Sequence, residues 1–287
     1  MEIKMKKILC LIMTAAVMLS FAACADKTQT TDNKGNAGGN YSDLMTIDGL
    51  DLAVEEYGIG FRTGSDVVDE VNKIMKELYS DGTLKEIAKK YDLADNLLEP
   101  KDVPSKASGD SDLAYIKKNG KMIIGYTVYD PMNYTNDNGE FVGFDTEFAE
   151  AVCEKIGVTP EFVEINWDTK EIELNAKSID CIWNGFTISE EREENLDFSA
   201  PYILNKQVVV IRKADKDKYK DTASLSGAKL AAETSSAGEG AIKDDKNLSK
   251  ASYTAVPKQT DALLEVKAST VDAAVLDYTL ANSMVGK

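Results

Sequence analysis

Strand-like and helix-like segments alternate through most of this chain, and the alternation predicts an α/β fold with a largely parallel sheet, arranged in two lobes. Three observations carry that expectation. From residue 122 onward, apolar runs of strand length alternate with amphipathic segments of helical period. The pattern falls into two stretches, 112–203 and 206–287, with no tandem repeat between them. The chain has 287 residues, 43% hydrophobic and 29% charged, which is enough for two domains that each bury a core.

The elements follow in order. Lys4, Lys6 and Lys7 precede an apolar core at residues 8–21 that is too short for a stable membrane span, and Ala22-Ala23-Cys24 closes it. Residues 1–23 therefore read as an export signal. Residues 24–40, rich in Thr, Asn, Gly, Lys and Asp after the cysteine, read as a flexible tether. From Tyr41 the body begins. Residues 44–47, 50–54 and 57–61 are extended candidates. Ser65-Asp66 starts a helix carrying Val67, Val68, Val71, Ile74, Met75 and Leu78 at helical spacing. Asp81-Gly82 ends it, and Leu84, Ile87, Ala88 and Tyr91 make a second short helix. Pro100, Pro104 and Gly109 mark a linker over 99–109.

Beyond the linker, residues 122–125 are a strand and Asp137-Asn138-Gly139 a turn. Phe148, Ala149, Val152 and Ile156 face inward on a helix over 145–156, and 161–165 alternate as a strand. Residues 170–176 are helical. In the second stretch 207–211 is a long strand, 225–232 opens a further unit, and 236–242 begins a helix. Residues 251–253 are a short strand, 260–267 a helix, 271–276 a strand, and 277–285 a closing helix.

Composition excludes several functions. The net charge is −16, and the leader is basic, so the body is more acidic still. That argues against nucleic acid and against adsorption to anionic lipid. The chain contains no histidine, which removes the commonest general base, histidine-dependent triads and most zinc sites. The four cysteines, Cys10, Cys24, Cys153 and Cys181, lack the spacing of a metal site. Cys153 falls on a helical pattern and Cys181 on a strand pattern. Buried thiols and, in an oxidising compartment, a Cys153–Cys181 disulfide are both open.

One stretch, residues 178–196, concentrates groups suited to a small carboxylate. The apolar run Cys181-Ile182-Trp183 reads as a strand ending at Asn184-Gly185. Ser189, followed by Glu190, Glu191 and Glu193, reads as an N-cap with an acidic first turn, and Arg192 lies within that turn. A hydroxyl, free backbone N–H groups and a guanidinium thus fall close together. An arginine on a helix facing water is the plainer reading of the same residues.

Several segments resemble the extracellular solute-binding proteins of ABC importers, in the family that binds polar amino acids. They are Tyr129-Asp130-Pro131-Met132-Asn133-Tyr134, Gly139-Glu140-Phe141-Val142-Gly143-Phe144-Asp145, Trp167, Ile179-Asp180-Cys181, and Gly185-Phe186-Thr187-Ile188 with Arg192. Leu196-Asp197-Phe198-Ser199-Ala200-Pro201-Tyr202 and Val271-Asp272-Ala273-Ala274-Val275-Leu276-Asp277 complete the series. The resemblance covers almost all of 112–287. It implies a periplasmic-binding-protein-like fold, two α/β lobes joined by two hinge crossovers, with an amino acid held between them.

The order is unusual. Proteins of this family end in a Tyr-Gly-Ile segment, a helix, an Asp-Gly-Thr turn and a final Lys-Tyr helix. Here that ending stands at Tyr57-Gly58-Ile59, 67–78, Asp81-Gly82-Thr83 and Lys89-Lys90-Tyr91, ahead of the part it should follow. The resemblance therefore implies circular permutation, which domains with adjacent surface termini tolerate. A truncated tandem is the alternative. The implied organisation is 41–60 in lobe two, 61–100 in lobe one, a linker over 101–111 joining the ancestral ends, 112–203 in lobe one and 204–287 in lobe two. The crossovers are expected near 202–206 and 57–62.

Position by position, Arg192 matches the arginine that pairs with a ligand α-carboxylate, where a planar fork suits the geometry. Thr187 and Gly185 match groups holding carboxylate and ammonium. Asp277 matches the carboxylate that receives the α-ammonium. Ser236 matches a backbone N–H donor, although the family often has Gly-Thr where this chain has Ser235-Ser236. Tyr129 and Trp167 match aromatics flanking the ligand. From the residues alone, Asp277 could be a helix N-cap, Tyr129 and Trp167 core aromatics, and Trp183 strand core. Ala22-Ala23-Cys24 resembles a lipobox, with Phe21 where Leu, Val or Ile is usual. It implies a Cys24-lipidated protein anchored outside the cytoplasmic membrane; a plain secreted protein is the rival. The implied partners are an amino-acid ligand, ABC permease subunits and the membrane through the lipid, with no nucleic acid, no cofactor and a monomeric body. An exported enzyme on the same fold, of the cyclohexadienyl dehydratase type, and a ligand-sensing module are the alternative functions.

Overall fold

The computed structural model describes residues 40–108 and 111–287. The export signal, Cys24 and all of the tether but Asn40 lie outside the described residues.

The elements are β1 (Leu44–Arg62), α1 (Val67–Ser80), α2 (Thr83–Lys90), α3 (Asp112–Asn119), β2 (Lys121–Tyr126), β3 (Tyr134–Thr135), β4 (Phe141–Val142), α4 (Phe144–Ile156) and β5 (Thr159–Glu164). They continue with α5 (Lys170–Asn175), β6 (Cys181–Thr187), α6 (Glu190–Glu193), β7 (Leu196–Phe198), β8 (Ile203–Arg212), β9 (Lys229–Glu233) and α7 (Ala237–Asp244). The last are β10 (Ser252–Val256), α8 (Gln259–Lys267), β11 (Ala273–Asp277) and α9 (Tyr278–Met284). The alternation expected from the sequence is present. Helix α3 was not anticipated; Ser111 caps it by accepting from the Ala114 N–H, and Gly120 closes it at φ +69°.

One sheet runs β10-β9-β11-β8-β1-β6-β2-β5, with β7 also on β1. It corrects the expectation of a largely parallel sheet. The outer strands are parallel within each half, β10-β9-β11 on one side and β6-β2-β5 on the other. The central strands β8 and β1 are antiparallel to each other and to their outer neighbours. The reason is connectivity. β1 pairs with β8 from Leu44 to Tyr57, then with β6 and β7 up to Arg62. Tyr57 is the meeting point, opposite Ile203 on one side and Thr187 on the other. Two chain segments, one through Tyr57 and one through Ile203, therefore lie side by side in opposite directions.

Helices α1 and α2 pack where their apolar stripes demand. Val71, Ile74, Met75 and Leu84 share a core with Phe148 and Val152 of α4 and with Trp183 of β6. Arg62, at the end of β1, is buried and donates to Asp112 Oδ2 at 3.0 Å and to the carbonyls of Leu174 and Ile179. The first part of the body is thus fastened to the half formed by β6, β2 and β5. At the other end, the Gly286 N–H donates to the Tyr41 carbonyl at 3.0 Å, so the start and the end of the body touch.

Strand β6 is longer than expected. It does not stop at Asn184-Gly185 but runs on to Thr187. The register with β1 slips between Gly58 opposite Phe186 and Gly60 opposite Ile182, which is a bulge. Gly185 takes φ +57° inside that bulge, and a Cβ there would sit 2.8 Å from the Tyr129 ring and 3.0 Å from the Tyr57 ring. Only glycine combines that φ with that approach. Cys153 and Cys181 are both buried and unpaired, which closes the disulfide option.

Candidate ligand-binding site

Strand β6 and helix α6 supply one wall. Ser189 caps α6, its hydroxyl accepting from the Arg192 N–H, so the acidic first turn forms as the sequence indicates. The cap turns the Arg192 side chain back over β6. Its guanidinium stacks 4.6 Å from the Phe186 ring centre, and Nη1 donates to the Thr187 carbonyl at 2.7 Å. Burial pulls its pKa below the ordinary arginine value, opposed by the charges of Glu55 and Asp277. The reading of Arg192 as a solvent-facing helix residue is thereby set aside.

The opposite wall comes from β9, α7, β11 and α8. Ser236 caps α7 by accepting from the Glu239 N–H. Asp277 ends β11. Asn205 and Gln207 on β8 donate to its Oδ1 at 2.8 and 2.6 Å, and Gln259 donates to its Oδ2. The same two β8 amides donate to Glu55 Oε1 at 2.6 and 2.8 Å. Burial, then the nearby charge of Asp277, push the Glu55 carboxyl up to about 8. Asp277 stands at the start of α9 but makes no side-chain cap; the N-cap reading of it fails.

Between the walls is a small cavity of about 10 Å³. Tyr129, Trp167, Gly185, Thr187, Arg192, Ser236 and Asp277, the seven residues singled out from the sequence, all line it. Asn184, Glu233, Ala237 and Gln259 complete the lining. A larger open cleft adjoins it and shares Thr187, Arg192, Ser236 and Ala237. Tyr129 and Trp167 serve the core as well. The Tyr129 hydroxyl shares hydrogen bonds with Tyr57, at 2.7 Å, and with Thr279. Trp167 meets Phe186 edge-on at 5.3 Å. Trp183 is core, edge-on to Phe148 at 4.9 Å.

Several residues that shape the site are not among the seven the sequence singles out. Asn184 is buried and donates to the Thr127 carbonyl and to Asn133 Oδ1, both at 2.8 Å, while its own oxygen accepts from the Thr127 N–H. Asp145 Oδ2 accepts from the Gly185 N–H at 2.6 Å and from the Tyr202 hydroxyl at 3.1 Å, so it pins the bulge. Burial pushes that carboxyl up to about 7. Lys170 lies 4.9 Å from the Trp167 ring and donates to the Ser235 carbonyl across the cleft, joined there by Arg192 Nη2, each at 3.3 Å. Burial, then the Arg192 charge, lower the Lys170 pKa to about 8. Asn205 and Gln207 stand out in the sequence only as polar residues inside a strand that otherwise reads as apolar, and Gln259 only as the first residue of α8.

The sequence profile of the bacterial extracellular solute-binding proteins, family 3, matches residues 122–284, more than half of the chain. The chain belongs to that family. Among curated relatives, the L-cystine-binding protein TcyJ of Escherichia coli (strain K12) is 31% identical over 116 residues, which cover 40% of this chain and 44% of that protein. The ABC transporter arginine-binding protein 1 of the same strain is 28% identical over 158 residues, covering 54% of this chain and 61% of that one. The chain thus spans about half the length of the curated relatives it matches. Among solved structures, an ancestral amino acid-binding protein, a precursor of cyclohexadienyl dehydratase, superposes with a TM-score of 0.57 at 32% identity, covering 60% of this chain and 76% of that one. The arginine-bound truncated ArgBP of T. maritima gives 0.55 at 32% identity, covering 59% and 79%. The two-lobed α/β fold of the family accounts for the divided sheet described above. Among the described residues no helix is long and apolar enough to cross a membrane, and no cluster of His, Cys, Asp or Glu is suited to a metal ion.

Proposed function

We propose that this protein captures a single α-amino acid between its two lobes and delivers it to the permease of an ABC importer. The observation that carries this reading is the convergence of Arg192 and Asp277, from opposite lobes, on one small cavity. A zwitterion needs a cation and an anion a few ångströms apart, and a ligand that touches both walls favours the closed arrangement over the open one by its differential affinity. The Arg192 fork would take the carboxylate, Asp277 the ammonium, and Thr187, Gly185 and the Ser236 N–H the remaining donors and acceptors. Tyr129 and Trp167 would flank the ligand.

The test is direct. Calorimetry against the twenty amino acids and cystine should find a binder, and Arg192→Ala should weaken it at least 100-fold, about 2.7 kcal/mol, without lowering the melting temperature. Near-native affinity in that variant would remove the carboxylate assignment. Cys24 would carry the lipid that holds the body, by its tether, at the outer face of the cytoplasmic membrane; mass spectrometry of the membrane fraction tests that.

Circular permutation belongs to the same proposal. It is supported by the contact between Gly286 and Tyr41, by the family match starting only at residue 122, and by β1 supplying strands to both lobes. A rewired chain starting at Asp112, with Lys287 joined to Tyr41 and ending at Leu98, should fold and bind as the natural order does. An aggregated product would count against it.

A second reading is favoured by one group. Glu233 lines the cavity, and its buried carboxyl is pushed well above the ordinary range, the state a proton donor needs. It would suit a dehydratase on this fold, and product formation from prephenate or arogenate decides it.

A further inference from the structure

Within the amino-acid-capture reading, the cavity holds one acid more than an α-amino acid head requires. Arg192 and Asp277 serve a carboxylate and an ammonium. Glu233, the last residue of β9, is the surplus. It is 3% exposed, it lines the cavity, and its Oε1 has no hydrogen-bond partner among the described residues. The lysines whose charge reaches it are engaged elsewhere. Lys170 Nζ donates to the Trp167 and Ser235 carbonyls, and Lys258 pairs with Glu164. Asp277, by contrast, receives three amide donors.

A buried acceptor without a donor is expensive, and a buried acid beside other acids more so. A ligand whose side chain brings a donor repairs it, and one that brings positive charge also offsets the second acid. We infer that the ligand is an α-amino acid whose side chain carries a second cationic group, and that Glu233 is the residue that selects it. Trp167 lines the same cavity, and its Nε1, also without a partner among the described residues, is a spare donor for an acceptor on that side chain.

Selection would be accompanied by proton release. Burial, and after it the charge of Asp277, push the Glu233 carboxyl well above the ordinary range; Lys170 on α5 and Lys258 ahead of α8 oppose this, while Asp261 on α8 adds to it. A cation arriving at Oε1 draws that value down, so binding sheds a proton and tightens as pH rises.

The experiment titrates L-arginine, L-lysine and L-cystine against their uncharged counterparts L-citrulline and L-norleucine, on the wild type and on Glu233→Gln, in two buffers of different ionisation heat. The tightest ligand should be one of the three with a second ammonium or guanidinium, at least tenfold tighter than the neutral pair, with proton release. Glu233→Gln should keep its melting temperature and lose most of that preference. Citrulline or norleucine binding as tightly as the cationic ligands, or a variant that retains the preference, overturns the assignment while leaving amino-acid capture intact. A wild type that binds no amino acid overturns the capture reading, and this one with it.

Discussion

Replacing Asp145 by asparagine should make the protein's stability less dependent on pH. Asp145 is fully buried at the start of α4, where Oδ2 accepts from the Gly185 N–H and the Tyr202 hydroxyl and Oδ1 has no partner among the described residues. Its folded-state pKa is raised from 3.8 to about 7, chiefly by burial. The unfolded chain therefore gives up this proton first as pH rises. The stability linked to the group is intact below pH 3.8 and is lost progressively as pH climbs through the folded value. About three pK units at 1.36 kcal/mol each correspond to roughly 4 kcal/mol over the whole range, of which about 3 kcal/mol falls between pH 4.5 and 8. The amide in Asp145→Asn can still accept from both donors but does not ionise. Urea unfolding of wild type and Asp145→Asn at pH 4.5, 6 and 8 reads the difference between them, which cancels the other titrating groups. The variant should gain on the wild type by about 3 kcal/mol across that interval. A difference that moves by less than about 1 kcal/mol would show that the carboxyl is not held protonated by its burial.

Two further outcomes are expected. Gly185→Ala places a Cβ at φ +57°, 2.8 Å from the Tyr129 ring; it should destabilise by about 2–4 kcal/mol in urea and weaken ligand binding, and an unchanged midpoint would refute the role given to the bulge. Burial raises the Cys153 thiol to about 12 and holds the Cys181 thiol well above its ordinary value. In a chain with Cys10 and Cys24 replaced by serine, a thiol reagent such as Ellman's should label neither until the protein unfolds, and rapid labelling of the native state would contradict their burial.

What could be read without the structure was whatever repeats over short distances. Apolar spacing of helical period marked α1, α2 and α4, alternation marked β5, and serine followed by acidic residues marked the cap at Ser189. These signals sit within one element, so the chain's own periodicity states them. The seven site residues were legible for a different reason: they stand in motifs whose order resembles a known family, and the fold then brought all seven to one cavity.

Other features were decided by pairing between distant segments. Nothing local to residues 44–62 says that one strand will serve two half-sheets, or that it will run antiparallel to β6 and β8. The strand through Asn184-Gly185 looks broken in sequence because glycine weakens a strand; it continues because Asp145, 40 positions earlier, accepts from the Gly185 N–H. The amides that hold Asp277 come from Asn205 and Gln207, some 70 residues away. Glu233 reads only as the polar end of a strand, yet the fold leaves one of its oxygens buried without a donor among the described residues. Sequence alone determined the type and order of most of the elements and pointed to the seven residues that line the cavity, because those are local or motif-bound. Only the tertiary structure decided which charges are satisfied and which are left for a ligand, because that balance is a sum over neighbours that the chain order does not place side by side.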